Sequence, residues 1–339
     1  MNYRISNSVS DIISKYGNDI SKQNLKGRDF KNCDFTNVIL PNNKMLFQES
    51  LCKSIEGSVF YNFDFTKFNI EGISIKNCII GEGCVLPENK DFFKNLAKSS
   101  IENVSFKCVD LSIYDFTGVD IIGAKFGVGC IIPNDSNLFQ YIKDKNLLNV
   151  SLPEWDYSTY DFNDVVLIGV KFTKNSKLPY DNNFFQIVRD KSVNFSILPD
   201  GDYRLYNFEG VSLMYTDFGE KSLMPNKYNF LKETASLQGA YLGDDFYNKA
   251  HLYNLKDLSY SIKLSNLTLE QYALLFGKYR NEINKKRIVL RWNSRLLQSS
   301  DVRKTALYIG RFFYLDMYSV AISLNPFSDK TLYTIPFTS

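Results

Sequence analysis

One repeat of 46 residues constrains this chain more than any other feature. An apolar residue followed by proline recurs at this spacing, and the prolines are Pro41, Pro87, Pro133, Pro179 and Pro225. Within each repeat, large apolar residues recur every five positions. Between two of the prolines they are Ile101, Phe106, Leu111, Phe116, Ile121, Phe126 and Ile131. Two nested periods of this kind predict a solenoid, in which each repeat packs on its neighbours.

The period of five also predicts which residues form the core. The same register runs from Ile55 to Val85 and again from Val193 to Leu223. Three phenylalanines share one position of the repeat, so we predict that they form an internal aromatic ladder. They are Phe126, Phe172 and Phe218.

The step from Ile131 to Leu147 takes 16 residues instead of five. Each repeat then has seven short faces and one long face, which together make two coils of four faces. Every second coil therefore carries an insert, and the insert has helical spacing. Two coils advance about 9.6 Å at roughly 4.8 Å per strand layer, and packed helices prefer about 8–10 Å. The pattern predicts helices stacked on one flank, near residues 42–52, 88–98, 134–144, 180–190 and 226–233.

The residues around the core positions resemble a known family. Asp or Asn often precedes the core residue directly, as in Asp64-Phe65 and Asn207-Phe208, and a small residue lies two positions before it. This pattern resembles the pentapeptide-repeat proteins over residues 22–255. The resemblance implies a right-handed quadrilateral β-helix with four five-residue faces per coil. Aromatic residues replace the family's preferred alanine at Phe68, Tyr114, Tyr160 and Tyr206.

The sequence divides into three predicted parts. Residues 1–20 form an N-terminal cap, in which Ser8 or Ser10 starts a short helix that Gly17 ends. Residues 21–258 form the β-solenoid with its stacked helical inserts. Residues 259–339 have helical spacing and form a predicted α-helical C-terminal domain.

Composition limits the function. The 339 residues carry a net charge of +3, which gives no strong overall attraction to nucleic acid or membranes. No long uncharged apolar run predicts a transmembrane segment, and the polar first twenty residues do not resemble a signal peptide. We therefore expect a cytoplasmic protein, in the bacterial cytosol or, for a secreted effector, the host cytosol. The six cysteines lack metal-binding spacing, and we interpret them as buried free thiols in a reducing compartment.

Two groups of residues are candidates for binding a partner. The repeat is least regular at Glu154, Trp155 and Asp156, where the indole could stack on a sugar or a partner protein. The second group is a basic stripe on a predicted helix, which could instead be a solvated helix face. Its members are Lys285, Lys286, Arg287, Arg291 and Arg295. This stripe would suit an acidic protein, nucleic acid or anionic lipid.

Aspartates spaced by 46 residues allow two interpretations. They are Asp64, Asp110, Asp156 and Asp202. Paired carboxylates could serve an inverting glycosidase. Alternatively, Asp at a corner accepts backbone hydrogen bonds, which is the interpretation that we favour.

No catalytic constellation is visible in the sequence. It contains one histidine, His251, and neither a serine-hydrolase elbow nor a phosphate-binding glycine loop. We predict a non-enzymatic protein without a cofactor that binds a partner protein, as a bacterial effector or accessory factor. Two alternatives stay open: a DNA mimic that modulates a topoisomerase, which the family resemblance implies, and a carbohydrate-active β-helix.

Overall fold

A computed structural model describes residues 7–225, 230, 233–237 and 240–248. Its helices are α1 (Val9–Tyr16), α2 (Leu138–Tyr141), α3 (Phe184–Ile187) and α4 (Asp244–Asn248). Its strands are β1 (Val59–Phe60), β2 (Ile79–Ile80), β3 (Ser105–Phe106) and β4 (Lys125–Phe126). Single 3-10 turns span Phe65–Lys67, Ala97–Ser99, Lys143–Lys145 and Arg189–Lys191. The predicted C-terminal domain and its basic stripe lie outside the described residues.

The strands form one parallel sheet in the order β1-β2-β3-β4. The register pairs Val59 with Ile79, Ile79 with Ser105, and Ser105 with Lys125, so it advances by 20, 26 and 20 residues. Isolated parallel bridges continue the alternation from Lys125 to Ser151 and on to Lys171. The chain therefore makes alternating short and long coils, and one of each makes the 46-residue repeat. This is a β-helix-like repeat fold within a compact unit, Met1–Gly243.

Each coil contributes one buried residue to each of four rows, which we name after Ile101, Phe106, Leu111 and Phe116. The Ile101 row includes Ile55, Ile75, Ile101, Ile121, Leu147, Leu167, Val193 and Leu213. The Phe106 row includes Phe60, Ile80, Phe106, Phe126, Leu152, Phe172, Leu198 and Phe218. The Leu111 row includes Phe65, Leu86, Leu111, Ile132, Tyr157, Leu178, Tyr203 and Met224. The Phe116 row includes Ile70, Phe93, Phe116, Phe139, Phe162, Phe185 and Phe208.

The predicted core register is wrong at the seventh position of each repeat. Ile131 is 40% exposed, whereas Ile132 is 3% exposed and fills the Leu111 row. Val85 and Leu223 are likewise replaced in the core by the residues that follow them, directly before proline. The corner after Phe126 is one residue wider than the corner after Phe106, which turns Ile131 outward.

The inserts are shorter than predicted, and they belong to the core. The helices predicted near residues 42–52 and 88–98 are turns without an α-helix, and most of residues 226–233 lie outside the described residues. α2 and α3 are single turns that end where Ile142 and Val188 adopt extended backbones and bury their side chains. Phe139 and Phe185 are 1% and 0% exposed, so they fill the Phe116 row instead of sealing a flank from outside. A long coil steps six, seven and eight residues between successive rows from Phe126 to Leu147, which spreads its six extra residues over three corners.

The inserts leave from one side of the stack, as predicted. The backbone N–H of Lys143 donates to Val119 O at 3.0 Å. The equivalent N–H of Arg189, one repeat later, donates to Val165 O at 3.0 Å. Because each insert returns to the same position of the preceding short coil, all of the described inserts share the Phe116 side.

The predicted aromatic ladder is interrupted. Leu152 lies between Phe126 and Phe172 in the Phe106 row, and Leu198 lies between Phe172 and Phe218. Residues one repeat apart are two layers apart, about 9.6 Å, which is too far for their rings to stack. The rings instead contact aromatic side chains close by: the Phe172 and Tyr157 centroids are 5.5 Å apart, and those of Phe218 and Tyr203 are 4.9 Å apart.

Helix α1 confirms the predicted caps. Ser8 Oγ accepts from the Ser10 N–H at 3.2 Å, and Gly17 (φ 77°) donates its N–H to Ile13 O at 2.8 Å. Ser8 and Asp19, on either side of α1, already form parallel bridges with Asp29 and Ile39. The helix thus takes the place of one side of the first coil.

The six cysteines are free thiols. Cys33, Cys78 and Cys130 are buried, and burial raises the pKa of Cys78 to about 12. Cys52 and Cys108 are exposed, so the prediction of buried thiols is wrong for these two. Cys108 lies at a corner with a left-handed backbone (φ 54°), which turns its side chain away from the core.

Candidate functional site

The structure places Trp155 in a network that holds the stack together. Trp155 is half-buried, and its indole Nε1–H donates to Tyr160 Oη at 3.0 Å. The Tyr160 hydroxyl in turn donates to Pro133 O at 2.8 Å, across to the long coil before it. The indole therefore has a structural partner inside its own chain, and only part of its ring faces solvent.

The two carboxylates beside Trp155 also have partners. Glu154 Oε2 accepts from Asn175 Nδ2 at 3.1 Å. Asp156 accepts from the Ser158 N–H at 3.0 Å and pairs with Lys177 at 3.2 Å. Hydrogen bonds from Ser158, followed by the Lys177 contact, lower the pKa of Asp156 to about 2. Sequence reasoning thus located an irregular corner whose charged groups are engaged within the chain.

The other aspartates of this 46-residue series act as corner acceptors, as we favoured. Asp64, Asp110 and Asp202 each accept from the backbone N–H two residues later, at 3.0, 2.9 and 3.1 Å. Hydrogen bonds from the side chain and the backbone of that later residue lower the pKa of each carboxyl. A glycosidase needs one carboxyl with a raised pKa as its general acid. The geometry therefore does not favour a carbohydrate-active site along this row.

Tyrosine hydroxyls tie the short coils to the long coils before them, which the sequence analysis missed. Tyr114 donates to Pro87 O at 3.0 Å, and Tyr206 donates to Pro179 O at 2.8 Å. Burial raises the pKa of both tyrosines to about 12. The signal was present in the sequence, because tyrosine and the X-Pro step share the same period.

A glutamine on three of the four described inserts makes a second link that the sequence analysis missed. Gln140 Nε2 donates to Asp161 O at 3.2 Å and to Asn163 O at 2.9 Å. Gln48 and Gln186 make the equivalent pairs of bonds in other inserts. In the remaining described insert this position is Lys94, which pairs with Asp91 and Asp115.

A groove of about 290 Å³ lies on the Phe116 side, between a short coil and the next insert. Segment 112–117 forms one wall, and residues of segment 133–141 form the other. Ile113 and Tyr141 line the groove with side chains that are 54% and 48% exposed. Leu138 lies nearly buried between them.

Exposed apolar side chains are concentrated on the Leu111 and Phe116 sides of the stack. They are Ile39, Met45, Val85, Ile113, Ile131, Tyr141, Tyr180, Ile187 and Leu205. On the other two sides, the exposed Phe195 and Tyr215 stack with their ring centroids 5.4 Å apart, next to Ile197. Leu51 and Val128, which are 55% and 89% exposed, add apolar surface at two further corners, so the exposed apolar side chains are more frequent on the sides that carry the inserts without being confined to them.

Metal binding and membrane crossing find no support in the described residues. They contain no cluster of three or more His, Cys, Asp or Glu side chains that could hold a metal ion. Of the helices in the part of the chain that the structure describes, none has the length and apolar character needed to cross a membrane.

The hydrogen bonds define the class of this protein as a β-helix-like repeat protein. No protein-family model matches the chain, and no curated protein matches it by sequence. Among solved structures, it is similar to QnrB1, a plasmid-mediated fluoroquinolone resistance protein. Two trypsin-treated single-substitution variants of QnrB1 match at 16% and 19% identity, each over 62% of this chain and 89% of that chain, with TM-scores of 0.25. Full-length QnrB1 matches at 14% identity over 70% and 93%, with a TM-score of 0.19.

Proposed function

We propose that this chain is a non-enzymatic scaffold that binds a partner protein along the sides that carry the inserts. The finer proposal is a right-handed quadrilateral β-helix of the pentapeptide-repeat family that works as a bacterial effector or accessory factor. Parallel bridges between successive described coils make the stack rigid, and a rigid stack can present a long surface without ordering cost on binding.

One observation carries this proposal. Ile39, Val85 and Ile131 are 58%, 52% and 40% exposed, and they recur at one position of the repeat. Successive members are two layers apart, or about 9.6 Å. Asp64 and Asp110 lie in the layers between them, so this side presents apolar side chains that alternate with carboxylates. A partner that packs on the exposed apolar side chains would cover this mixed side. Ile113, which also lines the groove, extends the exposed apolar surface toward it.

Substitution of the exposed row tests the proposal. We expect the triple variant Ile39→Thr, Val85→Thr, Ile131→Thr to lose a cross-linked protein that the full-length chain captures from a candidate host lysate. Threonine keeps the β-branched shape, so the melting temperature should change little. Ile197→Thr, which replaces an exposed isoleucine on the Phe106 side, is the matched control and should retain the partner.

The outcome also shows which of three candidate surfaces binds the partner: the exposed apolar row, the basic stripe or the irregular corner at Trp155. If the triple variant captures the same protein as the control, the apolar row is not the interface. In that case, Glu substitutions at Lys286, Arg287 and Arg291 test the basic stripe, and Trp155→Phe tests the irregular corner. Loss of capture in the charge-reversed variant, with a strong dependence on salt, would assign binding to the basic stripe.

A further inference from the structure

The groove on the Phe116 side combines apolar walls with uncompensated negative charge. Its apolar part is formed by Ile113, Tyr141 and Leu138, of which the first two are about half exposed. The volume of about 290 Å³ is enough for one or two side chains of a partner, and too small for a whole helix. A partner would therefore anchor a few residues here and lie across the neighbouring surface.

Two carboxylates line this groove. Asp115 and Asp135 each accept from a backbone N–H two residues later, at 2.8 and 2.9 Å, so both side chains are held in place. Lys94 pairs with Asp115 and balances its charge. For Asp135, no cation within ion-pair distance is found in the part of the chain that the structure describes. One oxygen of Asp135 is left to pair with a cation from outside.

The surroundings of the groove strengthen this negative charge. From the groove toward the C-terminus, the coil segments of this side carry no lysine or arginine; they are residues 111–118, 131–141, 157–164 and 178–187. The adjoining segment on the N-terminal side carries Lys90 and Lys94, of which Lys94 pairs with Asp91 and Asp115. The segments without lysine or arginine contain three more aspartates, Asp161, Asp164 and Asp181, of which Asp164 pairs with Arg189 at 2.9 Å. Phosphate groups of nucleic acids or anionic lipids would be repelled by this surface.

We infer that the groove binds a basic amphipathic segment of the partner protein. Apolar side chains of that segment pack on Ile113 and Leu138, and a lysine or arginine pairs with Asp135. The aliphatic stem of this cation crosses the Tyr141 ring, where a cation–π contact adds to the attraction. This inference rests on the proposed function, because it names the chemistry of the partner that the scaffold recognises.

A defined peptide tests the inference on the full-length chain. The probe is a fluorescein-labelled synthetic peptide of leucine and lysine with helical spacing, and binding is measured by fluorescence anisotropy. We expect Asp135→Asn and Ile113→Ser each to weaken binding about tenfold, and added salt to weaken it further. Asparagine can still accept the Asn137 N–H, so Asp135→Asn should fold normally. Tyr141→Ser gives a second apolar variant.

Matched controls distinguish peptide binding in the groove from nonspecific electrostatic or apolar binding elsewhere on the chain. Asp120→Asn removes an aspartate with the same type of backbone bond on the Ile101 side, and Ile197→Ser removes an exposed isoleucine on the Phe106 side. Both should bind the peptide within about twofold of the unmodified chain. The same peptide with glutamate in place of lysine should not bind.

Two results would overturn the inference: groove variants that bind as tightly as the controls, or equal binding of the glutamate peptide. If the groove variants fail this test while the Ile39, Val85 and Ile131 variant still loses its captured partner, the scaffold function stands and only the basic segment is wrong. If the peptide results hold but capture is insensitive to every exposed apolar side chain, the groove stands and the proposed row fails.

Discussion

Chain length is constant in one region of the stack and variable in another. The constant region is the corner between the Ile101 and Phe106 rows, and the variable region is the side of the Phe116 row. The corner has the same length in the coils from Ile55 to Phe218, and its tip is left-handed in each of them. In the middle of the stack, asparagine and glycine fill that tip, as in Asn103 (φ 58°) and Gly123 (φ 68°). The Phe116 side instead varies in length between short and long coils. It is held by side chains such as Gln140 that bridge from one coil to the next.

This difference shows which physical requirement selects the residues of each region. At the corner, a Cβ on Gly123 would lie 2.0 Å from Asn103 Oδ1, so backbone conformation and close contact decide the residue type. On the Phe116 side, α2 and α3 are followed by the same left-handed step at Asp144 and Asp190, and this repeated backbone path delivers Phe139 and Phe185 to the core. Close contact selects the residue at the corner, whereas the insert side is selected by a repeated path that fills the row.

The largest expected effect tests whether the inserts are part of the core. Phe172→Ala, in the regular Phe106 row, and Phe185→Ala, in an insert, should each lower the free energy of unfolding by about 3–5 kcal/mol. Both side chains are at most 4% exposed. Chemical denaturation measures the two losses. If Phe185→Ala alone lowered the free energy of unfolding by less than about 1 kcal/mol, the insert would not be part of the core.

A smaller effect separates conformation from contact at the corners. Gly123→Ala combines a left-handed backbone with the close contact to Asn103 and should cost about 2–3 kcal/mol. Gly118→Ala is the matched control, because its φ is 72° but nothing lies within 4 Å of the added Cβ. It should cost only about 1 kcal/mol. Equal losses in urea denaturation would show that contact with asparagine plays no part in selecting glycine.

The smallest expected effect concerns the one described insert that uses an ion pair in place of glutamine. The Lys94 hydrogen bond is the main cause that lowers the pKa of Asp115 to about 2. Because the folded pKa is below the unfolded value of about 3.9, this stabilisation is present above about pH 4 and is lost as the pH falls toward 2.

Lys94→Gln installs the residue found at the equivalent inserts. We expect the pKa of Asp115 to rise in an NMR titration, with a change in unfolding free energy below about 1 kcal/mol because both side chains are partly exposed. Gln140→Lys is the reverse control, because it places a lysine in an insert that has Asn137 at the position equivalent to Asp91. An unchanged Asp115 pKa would contradict the ion pair as its cause.

Sequence periodicity was sufficient to predict the coiled architecture, helix α1 with both of its caps, and the shared side of the inserts. It was wrong by one residue at Ile131, because the register of five could not show that the corner at Gly129 is wider. It was also wrong about the Phe126, Phe172 and Phe218 ladder, since a shared position in the repeat does not bring side chains two layers apart into contact.

For the candidate site, the sequence identified Trp155 as irregular and could not supply its partner Tyr160. The groove between Ile113 and Tyr141 was not predicted, because its walls belong to different coils and only their stacking forms it.

The sequence by itself determined the period, the spacing of the apolar side chains along each coil and the positions of the aspartates at the corners. These features depend on local spacing and on hydrogen bonds between near neighbours. The tertiary structure alone decided which apolar residue of the pair Ile131 and Ile132 is buried. It also decided that the inserts complete the core, and that Asp135 lies beside exposed apolar walls. These features depend on contacts between residues about 20 or more positions apart, and such contacts form only when successive coils stack.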